Sequence, residues 1–348
     1  MARIIYGVCG DGSGHATRSK EILDYLKSRK HKLIVIGYGK SYEYLKSHFK
    51  TYKIEGLRVI FENNRVRHLK TLMDNMLKSR KHYKSFLKIR QVFKKFRPDM
   101  VFTDFESLTS LIATYQRIPL ISIDNQAVLT RTKLVYPKKY KLTALMAEGV
   151  VKPMVPRAKV YIITTFFKSK IKNKSTLLVP PIVRASVRKL KPEKKNHILV
   201  YQTSESNKKL PGLLKKINQK FIIYGFNIAK KDKNLIFRKF SKTGFLDDLK
   251  NCKALITNGG LTLITEALHL GKPILSEPIK GQFEQIINAV YLQKLGYGKH
   301  EDRLTAAKIK DFIRNLPAYE KNIKKYPREG NEKLFKKIDA LIEIYAKD

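Results

Sequence analysis

Short apolar runs rich in β-branched residues recur along the chain, separated by longer stretches whose apolar positions fall at helical spacing. Such runs, bounded by turn residues, predict parallel strands, and the stretches between them predict crossover helices. In the first half, strands are expected at residues 3–8, 32–36, 100–103, 120–123 and 159–164. A second series gives strands at 197–201, 221–224, 254–257 and 273–275, with helices at 245–251, 261–270 and 283–295. Between the series, Pro180-Pro181 is followed by a basic segment poor in apolar residues, which reads as a linker. The tail at 332–346 carries Leu334, Ile338, Leu341, Ile342 and Tyr345 on one helical face. The expectation is an α/β protein with two doubly wound, Rossmann-like domains facing a cleft. Their spans are 1–183 and 197–330, joined by a linker at 184–196, with a C-terminal helix at 331–348 packing across both.

A length of 348 residues suits two medium domains with real cores. No apolar run approaches the roughly 20 residues of a membrane span. The first strand reaches a glycine-rich loop too soon to supply the apolar core of a signal peptide, so a cytoplasmic compartment is expected. Cys9 and Cys252 cannot make a disulfide framework or a metal site by themselves. Charge alters the picture more: 72 Lys and Arg against 29 Asp and Glu give +43. Nucleic acid, an anionic membrane and phosphorylated substrates all satisfy that field, as does a surface simply covered in lysine. Nucleic acid is the poorest fit, because the chain has no zinc-ligand spacing, helix-turn-helix or aromatic strand pair to read bases. The segment from Arg65 to Arg97 is strongly basic, with Asp74 its one acid and Leu69, Met73, Leu77, Phe86, Leu87, Phe93 and Phe96 among the cations. It reads as one amphipathic helix that either lies on anionic lipid headgroups or covers the sheet with its apolar side.

Candidate chemistry sits where strands end. Gly10-Asp11-Gly12-Ser13-Gly14-His15 follows the first strand, and alternate glycines at a helix start admit an anion to free N–H groups. The spacing is not the dinucleotide fingerprint, and His15 follows at once. His15 is a candidate general base, or a residue that caps the loop. Asp104, at the end of the strand at 100–103, either orients His15 or caps the next helix together with Glu106 and Ser107. In the second half, Asn258-Gly259-Gly260-Leu261-Thr262 joins a strand to a helix and suits a diphosphate, with Glu266 either solvated or facing ribose hydroxyls. Glu284, Gln285 and Asn288 follow another strand end and suit sugar hydroxyls.

Taken together, Gly14-His15, Gly259-Gly260 to Glu266, and Pro278 with Glu284-Gln285 and Asn288-Ala289 resemble the GT-B glycosyltransferases that use nucleotide sugars. The similarity is to the peptidoglycan N-acetylglucosaminyltransferase and UDP-glucuronosyltransferase branches and to archaeal and bacterial glycosyltransferase-like proteins. It implies a metal-independent, inverting hexosyltransferase with no resident cofactor, acting on a UDP-sugar or another nucleotide sugar. By that resemblance His15 is the acceptor's base, Glu266 the ribose ligand, and Glu284 with Gln285 the sugar ligands. Gly12, Gly14, Thr203, Ser204, Asn258, Gly259, Gly260, Leu261 and Thr262 would border the donor, and main-chain atoms at Phe245 and Leu246 its base. A lipid-linked acceptor would explain the basic segment. Two departures stand out: Asn258 replaces a histidine of many relatives, and Gln202-Thr203-Ser204-Glu205-Ser206 replaces a glycine-rich loop. The string from Gly12 to Arg18 also resembles the UDP-sugar hydrolase of the pseudaminic acid pathway, so hydrolysis stays open, as does an idle cleft that only binds polyanions.

Overall fold

The computed structural model describes residues 1–62, 64–202 and 207–346. Two compact units emerge, the first comprising Met1–Ile60, Arg67–Ile182 and Glu329–Asp348, the second Phe61–Val66 and Val183–Arg328.

The first unit is built on seven parallel strands: β1 (Arg3–Val8), β2 (Lys32–Gly37), β3 (Thr51–Lys53), β4 (Met100–Asp104), β5 (Leu120–Asp124), β6 (Val160–Thr164) and β7 (Thr176–Val179). Their order is β7-β6-β5-β4-β1-β2-β3. The topological switch lies between β1 and β4, where open α/β sheets place their ligands. Five helices matter here: α1 (Ser13–Ser28), α2 (His68–Leu77), α3 (Ser79–Phe96), α4 (Ser107–Tyr115) and α5 (Lys141–Met154). The sheet's core of Ile4, Tyr6, Ile22, Met100 and Phe102 is completed by Leu334, Ile338, Leu341 and Ile342 of the helix Glu332–Tyr345. That helix, expected to span both domains, therefore belongs to the first unit, where Phe335 stacks on Tyr25 with ring centres 4.0 Å apart. Its apolar stripe shares one cluster there with Ile22, Leu23 and Leu26 of α1.

The second unit has β8 (Ile198–Tyr201), β9 (Phe221–Tyr224), β10 (Lys230–Asp232), β11 (Leu235–Phe237), β12 (Ala254–Thr257), β13 (Ile274–Ser276) and β14 (Gly298–His300). Their order is β10-β11-β9-β8-β12-β13-β14, parallel except for the edge strand β10. The helices α6 (Lys242–Asn251), α7 (Leu261–His269) and α8 (Phe283–Lys294) bear on the site.

Two further expectations need correction. The basic segment is not one helix: Arg65–Val66 is a short strand of the second unit, where Val66 N donates to Lys280 O at 3.0 Å, and the helical part breaks at Lys78 into α2 and α3. The apolar residues divide accordingly. α3 turns Ile89, Val92 and Phe93 inward, whereas α2 leaves Leu69, Leu72, Met73, Met76 and Leu77 exposed. The supposed linker at 184–196 is likewise packed onto the second unit. Lys195 N donates to Asn251 O at 2.7 Å, Glu193 N to Lys250 O at 3.1 Å, and a short helix spans Ala185–Arg188. Its polar composition reflects backbone pairing along a unit's surface rather than free chain.

Candidate active site

Gly12 precedes α1 with φ of 88°, a left-handed conformation open to glycine and strained for other residues, and it turns the chain from β1 into the helix. One helical turn then places His15, Arg18 and Ser19 on a single face, at the i, i+3, i+4 spacing of neighbours. All three reach Asp104, buried at the end of β4. His15 Nδ1 lies 2.8 Å from Asp104 Oδ1. Arg18 Nε donates to Asp104 Oδ2 at 2.7 Å, Arg18 Nη2 donates to Oδ1, and Ser19 Oγ donates to Oδ2 at 3.0 Å. Burial alone would push the Asp104 carboxyl up, but Arg18 and His15 outweigh it and hold it well below the ordinary carboxylate range. The other imidazole nitrogen, Nε2, is 3.4 Å from the Gln126 amide nitrogen. Asp104 does not cap α4. That role falls to Glu106, whose carboxylate accepts from Leu108 N and Thr109 N, both at 2.8 Å.

Beside this cluster the first unit holds a cavity of about 510 Å³. Phe105, next to Asp104, lines it with Asp124, Ala127, Arg131, Lys152 and Tyr161. The Arg131 guanidinium sits 3.7 Å over the Tyr161 ring, which fixes a planar cation at the wall. Burial raises the Asp124 carboxyl, against hydrogen bonds from Ser122 and from Ala127 N.

In the second unit the turn from β12 into α7 is built on Gly259, with φ of 100°. A Cβ there would stand 2.9 Å from Ser276 Oγ and 3.0 Å from Gln285 O, so close packing as well as conformation requires glycine. Gly259 O accepts from Asn288 Nδ2 at 3.0 Å. Gly260 caps α7 with no side-chain hydrogen bond to the first turn, and a Cβ added to it would meet open space. The start of α7 is thus open on the Gly260 side, and the first N–H groups of a helix are those that attract an anion. Leu261 is buried and Thr262 half-buried at the first two helical positions. Asn258 is buried, with Nδ2 donating to Gln202 Oε1 at 3.2 Å and to Glu277 O at 3.1 Å.

Residues 2–317 match glycosyl transferase family 1. The chain belongs to that family. It is 23% identical over 336 residues to an uncharacterized glycosyltransferase of Methanosarcina acetivorans, covering 88% of this chain and 85% of the relative. Among solved structures, the kitacinnamycin glycotransferase superposes with a TM-score of 0.71 at 14% identity, covering 97% of this chain and 98% of its own. The Streptomyces sp. SF2575 glycosyltransferase SsfS6, complexed with thymidine diphosphate, gives 0.64 at 14% identity, with 98% and 100% covered. The fold is GT-B.

The remaining positions expected in this glycosyltransferase's site fall unevenly. Glu266 is buried in α7, and both its oxygens are taken by Arg184, with Nε 2.5 Å and Nη2 2.6 Å away. Glu284 is half-buried in the first turn of α8. Gln285 is buried, and its Oε1 accepts from Ile279 N at 2.9 Å, bracing the loop after β13. Phe245 and Leu246 lie inside α6, Phe245 N already donating to Ser241 O at 2.8 Å, and the Phe245 ring packs edge-on to Tyr201 and Tyr224. Main-chain contacts to a base there compete with the helix's own bonds. Thr203 and Ser204 lie outside the described residues. Gly14 lies within the first turn of α1, its carbonyl accepting from Thr17 Oγ1 at 3.2 Å. Sequence reading missed Arg18 and Arg184. The first was signalled by its spacing from His15; the second sat in a segment dismissed as linker.

Proposed function

We propose that the protein transfers a hexose from a nucleotide sugar to an acceptor hydroxyl by a single, inverting displacement that needs no metal. The observation carrying this reading is the buried pairing of His15 with Asp104 at 2.8 Å. An imidazole whose Nδ1 proton is held by a carboxylate presents Nε2 as base. The acceptor oxygen would attack the anomeric carbon and the bond from that carbon to the diphosphate oxygen would break. The acceptor proton passes to His15 Nε2, and the nucleoside diphosphate leaves from the opposite face. The first turn of α7, with Gly260 and Thr262, would carry the leaving charge. Glu266 would accept ribose hydroxyls on lone pairs that Arg184 leaves, a carboxylate having about four such sites. Glu284 and Gln285 would face the sugar, and the cavity beside Phe105 the acceptor. UDP is the donor nucleotide favoured by resemblance; the thymidine diphosphate complex of SsfS6 supports a nucleoside diphosphate in general. The exposed apolar residues of α2, in a helix that holds Lys70 and is flanked by Arg67 and Lys78, support an acceptor carried on lipid and a seat on an anionic membrane.

The test is release of nucleoside diphosphate from UDP-, GDP- and dTDP-sugars, with and without a lipid extract. Release that requires the extract supports transfer to a lipid acceptor. Full release without any acceptor would replace transfer by hydrolysis, the reading favoured by the likeness of Gly12 to Arg18 to a UDP-sugar hydrolase. No release with any donor would leave a polyanion-binding protein.

A further inference from the structure

Helix α5 carries its apolar residues on the outside. Of its 14 residues only Ala144 is buried. Leu142, Leu145, Met146 and Val150 are 70%, 58%, 44% and 59% exposed. At 100° per residue these four share one stripe with Gly149, and Ala144 lies on the opposite side. An amphipathic helix of a globular unit ordinarily turns such a stripe to the core; this one holds the unit through its other side and offers the stripe to its surroundings.

The borders of the stripe identify what it meets. Lys138, Lys139 and Lys141 stand exposed at its start, and Lys152, Arg157 and Lys159 at and beyond its end. The one acid of the helix, Glu148, lies two residues before Val150 and about 120° from Leu142 round the helix, on the cavity side that Leu145, Gly149 and Lys152 also border. Leu, Met and Val in a stripe edged by cations are the composition of a helix that lies in the interface of an anionic bilayer, with side chains among the acyl ends and ammonium groups at the phosphates. A second copy of a chain carrying +43 would bring the same cations against each other.

We propose that α5 is an interfacial helix that docks on an anionic lipid bilayer. It is a second contact, distinct from α2, and does not depend on which sugar is moved. Docking through α5 brings the cavity to the bilayer, because Leu145, Gly149, Val151 and Lys152 of the same helix form one of its walls. An acceptor held in the headgroup layer would then enter beside the His15 and Asp104 pair without leaving the membrane.

The chain has no tryptophan, so single substitutions can report position. Leu142→Trp on α5, Leu77→Trp on α2 and Ile344→Trp in the C-terminal helix place one fluorophore each at an exposed apolar site. Full-length variants are mixed with phosphatidylcholine vesicles with and without phosphatidylglycerol, at low and high salt. The proposal expects a blue shift of Leu142→Trp emission on the anionic vesicles alone, lost at high salt, and none for Ile344→Trp. It also expects Leu142→Glu/Val150→Glu to lower the vesicle-bound fraction roughly tenfold or more, since the apolar area of two side chains leaves the interface. Ile228→Glu/Ile344→Glu, an equal change of charge elsewhere, should lower it far less. A shift confined to Leu77→Trp overturns docking through α5 and leaves the contact through α2 standing. Equal losses in the two glutamate pairs overturn it in favour of a diffuse field. A Leu142→Trp shift without vesicles, with a dimer on sedimentation that Leu142→Glu/Val150→Glu disperses, overturns it in favour of self-association.

Discussion

Arg18 Nη2 lies 2.9 Å from His15 Nδ1, the same nitrogen that Asp104 Oδ1 approaches at 2.8 Å. One ring nitrogen cannot donate to the carboxylate and accept from the guanidinium at once. Whichever contact prevails fixes the tautomer, and only donation to Asp104 leaves Nε2 as the base. Arg18 thus anchors Asp104 as an anion and competes with it for His15.

Replacing Arg18 with Met should cost about 3–5 kcal/mol of stability, the range for breaking a buried ion pair. The pH dependence has a defined sign. Asp104 is held below its unfolded value, so its stabilising contribution is present above the ordinary carboxylate range and is lost as pH falls through the folded value. Without Arg18 the carboxyl rises toward its unfolded value, so the acid loss shrinks. Where burial carries it past that value, the dependence reverses and acid no longer destabilises through this group. Urea melts across the acid range measure it; an unmoved acid midpoint would show that Arg18 does not hold the charge.

His15→Asn should lower turnover by about 10² to 10⁴ while leaving nucleoside diphosphate affinity within a few-fold. Asp104→Asn should lose both turnover and stability, because it strands the Arg18 cation in a buried site. The double variant Arg18→Met/Asp104→Asn should regain most of the stability and none of the rate. Rate and melting measurements on the four proteins form the cycle; recovery of rate would assign Asp104 to structure alone.

The paired glycines separate folding from binding. Gly259→Ala should destabilise by about 1–3 kcal/mol, since it strains a left-handed position and drives a methyl into Ser276 and Gln285. Gly260→Ala should alter stability by no more than about 0.5 kcal/mol, its surroundings being open. It should nevertheless weaken nucleoside diphosphate binding by placing a methyl at the start of α7. Calorimetric titration beside thermal melts distinguishes the two, and equal affinities for Gly260→Ala and the parent would place the diphosphate elsewhere.

Glu266→Gln should weaken nucleoside diphosphate binding by about 1.5–3 kcal/mol, the range for hydrogen bonds to a charged group. The 2′-deoxy analogue should lose less in the variant than in the parent. Arg184→Met, which leaves Glu266 present but unheld, should give a smaller loss with the 2′ preference retained. Identical 2′ effects in the parent and Glu266→Gln would show that this carboxylate serves Arg184 alone.

How much of this was legible depended on range. The central strands β1, β4, β5, β8 and β12 were readable because burial on both faces leaves continuous apolar runs. Edge strands such as Thr51–Lys53, Lys230–Asp232 and Gly298–His300 were not, being short and polar. His15 was evident from its loop, but Arg18 becomes meaningful only beside Asp104, 86 positions away, and pattern alone does not join such residues. Glu266 raised the same difficulty, since its charge partner came from a stretch whose composition looked like a tether. In the basic segment the apolar residues were plain, but the break at Lys78 decided which of them turned inward.

The helix Glu332–Tyr345 contributes Leu334, Ile338, Leu341 and Ile342 to an apolar cluster whose other members begin at Ala2 and Ile4. During synthesis, residues 183–328 therefore emerge before the first unit has received its last structural piece. The apolar cluster of the first unit must wait for Leu334, Ile338, Leu341 and Ile342, and Tyr25 for Phe335, while a whole α/β unit is made behind them. The half that is translated first is the half that is finished last, and the interval between is when a chaperone would find the most to hold.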